Sequence, residues 1–226
     1  MASEPRKRGA FIVLEGLDRS GKTTQVKLLE QRFIEAGRPA KTMRFPDRST
    51  VIGKMIDGYL KSDVEVEDHV IHLLFSANRW EAAHSIERLL NEGTTIVCDR
   101  YYHSGIVYSY AKSNPSMPLS WLTAPESGLP RPDAVLFLDL TPEEARARGG
   151  WGNEIYEKEE MQKKVGEAFR QLGGVVDGGE IERDEDVVVV DAGGSVEDVS
   201  EKIWSVVAGA LNAVERGEKG GVRTVP

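Results

Sequence analysis

The chain has 226 residues, 40 % of them hydrophobic, enough for one large α/β domain with a substantial core. Its 37 acidic against 29 basic residues give a net charge of −8, which argues against a nucleic-acid backbone or an anionic membrane as the main partner. The single cysteine, Cys98, excludes an internal disulfide, and no apolar segment approaches a membrane span, so the chain reads as soluble and intracellular.

Residues 1–8 are charged, with no apolar h-region behind them, and read as a flexible arm. The apolar run Phe11-Ile12-Val13-Leu14, a strand over 11–15, feeds directly into Gly16-Leu17-Asp18-Arg19-Ser20-Gly21-Lys22-Thr23-Thr24. That segment has the Gly-x-x-x-x-Gly-Lys-Thr spacing of a P-loop, and a helical pattern over 22–36 follows it. Gly16 and Gly21 let the backbone turn so that successive N–H groups form a nest for phosphate oxygens at a helix N-terminus. Lys22 then reaches the β- and γ-phosphates, and the Thr23 hydroxyl sits on Mg²⁺. The segment predicts a nucleoside triphosphate site.

Next comes a strand, Ala40–Arg44, that ends in Arg44-Phe45-Pro46-Asp47-Arg48, then helices over Val51–Leu60 and 66–91. On the longer helix Val70, Leu73, Leu74, Ala77 and Trp80 make one apolar face, while Ile71, Phe75 and Arg79 lie at i, i+4 and i+8 on another. A flat ring beside a planar donor fork can stack on a base and hydrogen-bond its edge. Spacing alone, however, favours ordinary core for Phe75 and solvent for Arg79. The strand over 94–99 ends in Asp99, the Walker-B arrangement that sets a carboxylate beside the P-loop Mg²⁺, and Arg100 follows at once. Cys98 inside that strand reads as packing.

On the helix over 101–112, Tyr101, Ser104 or Gly105, and Tyr108 share a face. Gly105 allows close ligand approach and the Tyr108 ring fits beside a sugar C2′; core packing is the plain alternative. Arg48, Arg79 and Arg100 can supply a second anion site facing the P-loop, because guanidinium forks match phosphate oxygens. Each close charge pair is worth roughly 4 kcal/mol before desolvation at an effective dielectric near 20.

The Pro-rich connection 114–132 carries Leu119-Ser120-Trp121-Leu122 and reads as a packed loop. Strands over Ala134–Asp139 and Val187–Asp191 and helices over 142–148, 158–172 and 196–216 complete the pattern. Residues 177–186 read as an exposed acidic loop and 217–226 as a disordered tail. His69, His72, His84 and His103 lack a third well-placed ligand and read as ordinary side chains. Alternating strands and helices predict a single α/β domain: a three-layer, P-loop NTPase-type fold whose five-stranded parallel sheet is flanked by helices. Ligands in that architecture bind at the carboxyl ends of the strands, where the P-loop, 44–48 and 99–101 all fall.

With these residues assembled, the chain resembles the thymidylate kinases. The segments that carry the likeness are 11–25, Arg44-Phe45-Pro46-Asp47-Arg48-Ser49-Thr50, His72-Leu73-Leu74-Phe75-Ser76-Ala77-Asn78-Arg79-Trp80-Glu81 and Asp99-Arg100-Tyr101. Leu129-Pro130-Arg131-Pro132-Asp133 and 148–157 match as well. The resemblance implies ATP and Mg²⁺, with dTMP as phosphoryl acceptor. It implies a catalytic set of Arg19, Lys22, Asp99 and Arg100, with Thr23 and Asp99 holding the metal. ATP would be bound by Gly16, Arg19, Ser20, Gly21, Lys22, Thr23, Thr24 and Arg148.

On the acceptor side, the resemblance implies that Phe75 stacks on thymine while Arg79 reads its edge, with Ser104 and Gly105 nearby. Arg48 and Arg100 would hold the dTMP phosphate, Asp18 would meet the 3′-OH, and Phe45 and Tyr156 would line the pocket. Tyr108 would crowd a 2′-OH, and the Phe45–Pro46 bond resembles the family's cis peptide. Arg19 in the P-loop resembles the eukaryotic type, in which that arginine acts on the transferred phosphoryl. The lid over 149–157 contains neither Lys nor Arg, in agreement. A homodimer and a cytoplasmic or nuclear location are also implied.

The nearest rival is a nucleoside monophosphate kinase of different base specificity. A nucleotide-gated switch is disfavoured by the absence of an Asn-Lys-x-Asp motif, and a dead binding protein by the presence of Lys22, Arg19 and Asp99.

Overall fold

A computed structural model describes residues 7–141, 144–145, 154–175 and 181–226. Strands β1 (Phe11–Gly16), β2 (Ala40–Arg44), β3 (Thr95–Asp99), β4 (Ala134–Asp139) and β5 (Val187–Asp191) form one sheet in the order β2-β3-β1-β4-β5. Every pairing is parallel, and the register sets Phe11 against Ile96 on one side while Ile12 faces Ala134 on the other.

Period-2 geometry explains why the central strands are apolar throughout. Phe11, Val13, Ile96, Cys98, Val135 and Phe137 face one core. Ile12, Leu14, Val97, Leu136 and Leu138 face the other. The second core is closed by α1 (Lys22–Glu35), through Val26, Leu29 and Phe33, and by the C-terminal helix α7 (Val196–Glu215), through Val199, Ile203, Val207 and Leu211. Helices α2 (Val51–Leu60), α3 (Asp68–Asn91), α4 (Tyr102–Ala111) and α6 (Glu159–Leu172) contribute to the first. Each fully buried aliphatic or aromatic side chain contributes about 1.5–3 kcal/mol, so the two layers fix where the strand ends point.

Helix α3 starts at Asp68 rather than Val66 because the Glu67 carboxylate accepts from the N–H groups of His69 and Val70, capping the first turn. The apolar patch 119–122 forms a short helix, α5 (Leu119–Thr123), running into a 3₁₀ turn, Ala124–Glu126. The helix expected over 142–148 falls largely outside the described residues.

One open choice is decided and two expectations need correction. The face of α3 with Val70, Leu73 and Trp80 is exposed, and the opposite face, with Ile71, Ala83, Ile86 and Leu90, packs in the core. The tail over 217–226 is ordered: Val225 exchanges backbone hydrogen bonds with Gly128 and Leu129, and Arg223 donates to the Pro132 carbonyl. Backbone pairing, which composition does not reveal, holds it. The end of the acidic stretch is not exposed either, since Asp186 is buried against Arg131 (2.8 Å), Arg223 (2.9 Å) and Lys219 (3.0 Å). Of the arm, residues 1–6 lie outside the described residues, while Arg8 is docked on Asp133 at 2.7 Å.

Candidate active site

The carboxyl ends of β1 and β3 lie side by side and deliver the P-loop and the Asp99-Arg100 turn to one rim. At the loop's entry Gly16 has φ 156°, and a Cβ there would lie 2.4 Å from Ser20 Oγ and 3.0 Å from the Leu138 carbonyl. Gly21 (φ 94°) precedes α1, and Arg19 itself sits at φ 67°, a left-handed conformation costing a side-chain-bearing residue roughly 1–2 kcal/mol. Lys22, at the start of α1, curls back so that Nζ donates to the carbonyls of Gly16 (3.1 Å) and Leu17 (2.7 Å). Burial, with Arg100 second, brings its ammonium down to about 8.

Thr23 Oγ1 donates to Asp99 Oδ2 at 2.7 Å, and Arg44 stands 4.0 Å from the same carboxylate. A hydroxyl and a carboxylate in contact beside a phosphate nest are hard oxygen donors. They suit Mg²⁺, which keeps several waters and takes its remaining ligands from phosphate.

Arg100 (φ 66°) is the hub of the rim. Its Nη1 donates to the Gly16 carbonyl (2.9 Å) and Ser104 Oγ (3.1 Å), Nη2 donates to Asp18 Oδ1 (2.5 Å), and the guanidinium lies 5.3 Å from the Tyr108 ring centre. Burial pulls the Asp18 carboxyl upward, but Arg100 and Lys22 beside it hold it below the usual carboxylate range. Arg48 pairs with Asp57 (2.7 Å) and Glu154 (2.8 Å), and Arg19 comes within 3.9 Å of Glu157.

The cavity beside this hub is lined by Asp18, Phe45, Arg48, Phe75, Arg79, Arg100, Ser104, Gly105, Tyr108 and Tyr156, the whole acceptor set expected from sequence. The Phe45–Pro46 peptide at its wall is cis. Arg79 departs from the solvent placement that spacing favours: it is buried, and Gly105 accommodates the arginine, because a Cβ there would lie 2.5 Å from Arg79 Nη2. A second cavity is lined by Arg19, Ser20, Gly21, Lys22, Thr23, Thr24 and Asp99, and on its far wall by Ala192, Gly194, Ser195 and Val196. Gly16 lies under this cavity as an acceptor for Lys22 and Arg100. Arg148, and residues 149–153 of the expected lid, fall outside the described residues. The cavities meet, since Asp18, Arg44 and Arg100 line both.

Sequence reasoning missed three buried groups that hold this set. Glu15 accepts from the N–H of Tyr101 (2.9 Å), the N–H of Ser104 (3.0 Å) and Ser104 Oγ (2.5 Å). Gln162 bridges Asp18 and the Tyr156 carbonyl from α6. Glu126 pairs with Arg79. An acid ending an otherwise apolar strand, and an amide on the same face of α6 as Val165 and Phe169, were readable hints of the first two. Nothing local pointed to Glu126.

The thymidylate kinase family model matches residues 14–203. A thymidylate kinase of Schizosaccharomyces pombe is 46 % identical over 205 residues, covering 90 % of this chain and 93 % of the relative. That of Homo sapiens is 49 % identical over 166 residues, covering 74 % and 77 %. The solved thymidylate kinase of Candida albicans superposes with a TM-score of 0.80 at 40 % identity, covering 91 % of this chain and 93 % of its own.

Proposed function

The chain belongs to the thymidylate kinase family and phosphorylates dTMP to dTDP with ATP, and from that premise we propose how its residues do so. The observation that carries the proposal is the junction of the two cavities at Asp18, Arg44 and Arg100, which suits an acceptor phosphate lying end to end with a triphosphate. An oxygen of the dTMP phosphate attacks the γ-phosphorus. The bond from that phosphorus to the β,γ-bridging oxygen breaks, ADP leaves, and no side-chain nucleophile intervenes.

Catalysis is then positioning and charge neutralisation. Arg48 and Arg100 hold the acceptor phosphate, Asp18 accepts from the 3′-OH, Phe75 stacks on the base and Arg79 meets its edge. Lys22 holds the β- and γ-phosphates in the P-loop nest. Arg19, the arginine that marks the eukaryotic type, follows the transferring group; such an arginine in cis is worth up to about 10³–10⁵ in rate. Thr23 and Asp99 would hold Mg²⁺, which would supply charge neutralisation at the phosphates. Glu154 and Glu157, tied to Arg48 and Arg19, belong to a lid that excludes water from the phosphates. Tyr108, against the sugar, favours deoxyribose.

The homodimer of the resemblance is supported by the exposed apolar residues Val70, Leu73 and Trp80 on α3, with Val51 and Met55 on the neighbouring α2. A second copy of the chain is the partner that this face takes. Among the described residues no helix is long and apolar enough to cross a membrane; we assign the enzyme to the cytoplasm, with the nucleus as a further location. The test is ADP release across a panel of monophosphates: dTMP should give the highest kcat/KM, and equal rates with dCMP or AMP would point to another acceptor.

A further inference from the structure

Arg79 is 2 % exposed and Glu126 is 0 % exposed, so each is compensated by the other inside the protein. Arg79 Nε donates to Glu126 Oε2 at 2.9 Å, and Nη2 donates to Oε1. This two-pronged grip uses Nε–H and one N–H of Nη2, and leaves the two N–H groups of Nη1 and the second of Nη2 to serve the cavity that Arg79 lines. An arginine stem has several rotatable bonds, so the plane of the fork is set by what grips it.

We propose that Glu126 is the positioning residue of base recognition, fixing the Arg79 fork so that one of its remaining N–H donors meets a carbonyl on the pyrimidine edge. The pair thereby sets the preference for a base bearing a carbonyl at ring position 4 over one bearing an amino group, which would meet Arg79 donor against donor. This rests on the reading of Arg79 as the residue that meets the base edge.

The surroundings of Glu126 are built for such a task. The neighbouring Pro125 carbonyl accepts from Ser76 Oγ (3.0 Å) and Trp80 Nε1 (2.8 Å), both on the helix that carries Arg79. Two residues beyond Glu126, Gly128 N–H donates to the Val225 carbonyl (2.9 Å), and Val225 N–H donates to the Leu129 carbonyl (2.8 Å), so the C-terminal segment clamps the turn from outside. Gly105 leaves the room that the fork occupies on the α4 side. A carboxylate suits the position because it accepts from both nitrogens. An amide offers one acceptor and turns an NH₂ towards the other donor.

The experiment compares kcat/KM for dTMP and dCMP, with KM for ATP, in wild type, E126Q, Arg79→Lys and the double variant. We expect E126Q to raise KM for dTMP about tenfold and to lose about tenfold in dTMP-over-dCMP preference, with KM for ATP within about twofold of wild type. A merely structural loss would lower the active fraction, hence kcat, without moving the preference. The double variant should be no less selective than Arg79→Lys alone, since both changes act on one contact. Wild-type preference in E126Q, where Arg79→Lys has lost it, overturns the role of Glu126. Wild-type preference in Arg79→Lys overturns the reading of Arg79 as well. Should E126Q not fold, Ser76→Ala removes only the hydroxyl that steadies Pro125. A rise of about two- to threefold in KM for dTMP at constant kcat then supports the role, and an unchanged KM overturns it.

Discussion

Replacing Gln162 by leucine tests whether the acceptor site is held together by buried polar bonds rather than by shape alone. Gln162 is 0 % exposed; Oε1 accepts from the Asp18 N–H at 3.1 Å, and Nε2 donates to Asp18 Oδ2 at 3.0 Å and to the Tyr156 carbonyl at 2.8 Å. The bond to the carboxylate is worth about 1.5–3 kcal/mol and each neutral bond about 1 kcal/mol, or about 3–5 kcal/mol together. The added apolar surface of a buried leucine offsets about 1 kcal/mol of this. A net loss of about 2–4 kcal/mol lowers Tm by about 5–15 °C for a chain of this size. Thermal unfolding followed by circular dichroism reads the shift. In the folded fraction, KM for dTMP should rise while KM for ATP holds, because Asp18 loses its anchor while the P-loop nest keeps its own. A Tm within about 2 °C of wild type, together with an unchanged KM for dTMP, would refute the reasoning, since three unmade buried bonds cannot be that cheap.

Arg19→Met should cut kcat by about 10³-fold or more with little change in dTMP affinity by calorimetry, and unchanged turnover would remove Arg19 from the chemistry. Because the Lys22 ammonium titrates near 8, kcat/KM for ATP should fall as pH rises through about 8, while kcat, set with phosphate already holding that proton, falls later. The sign for stability is opposite: an unfolded lysine holds its proton to about 10.5, so the cost of burying this group is full below about 8 and is relieved as pH rises from about 8 to 10.5. A flat kcat/KM profile to pH 9 would contradict the assignment. Tyr108→Ala should admit the ribose counterpart of dTMP, read as the ratio of the two kcat/KM values, and a wild-type ratio would show that Tyr108 does not exclude a 2′-OH.

Much of the site was legible because its geometry is local. Gly16, Gly21 and Lys22 are bound to their spacing by the loop they build, and Asp99 and Arg100 are bound to each other by the end of one strand. The five strands were legible because a sheet covered on both faces must be apolar along its whole length. Helix α3 was legible only as two stripes, because both of its faces carry apolar residues and sequence cannot say which one the core takes. Arg79 looked like a surface cation until Glu126, 47 positions away, came to bury it. The tail 217–226 has a polar, Gly-rich composition that suits solvent, yet pairing of its backbone with Gly128 and Leu129 overrides that bias.

The most direct measurement is a crystal structure with dTMP and a non-hydrolysable ATP analogue bound together. The triphosphate should lie in the P-loop nest over Lys22, and the dTMP phosphate should sit between Arg48 and Arg100, in line with the γ-phosphorus, with its ring on Phe75 and its edge on Arg79. A monophosphate lodged outside the cavity walled by these residues, or one with its phosphate turned away from the P-loop, would contradict the account.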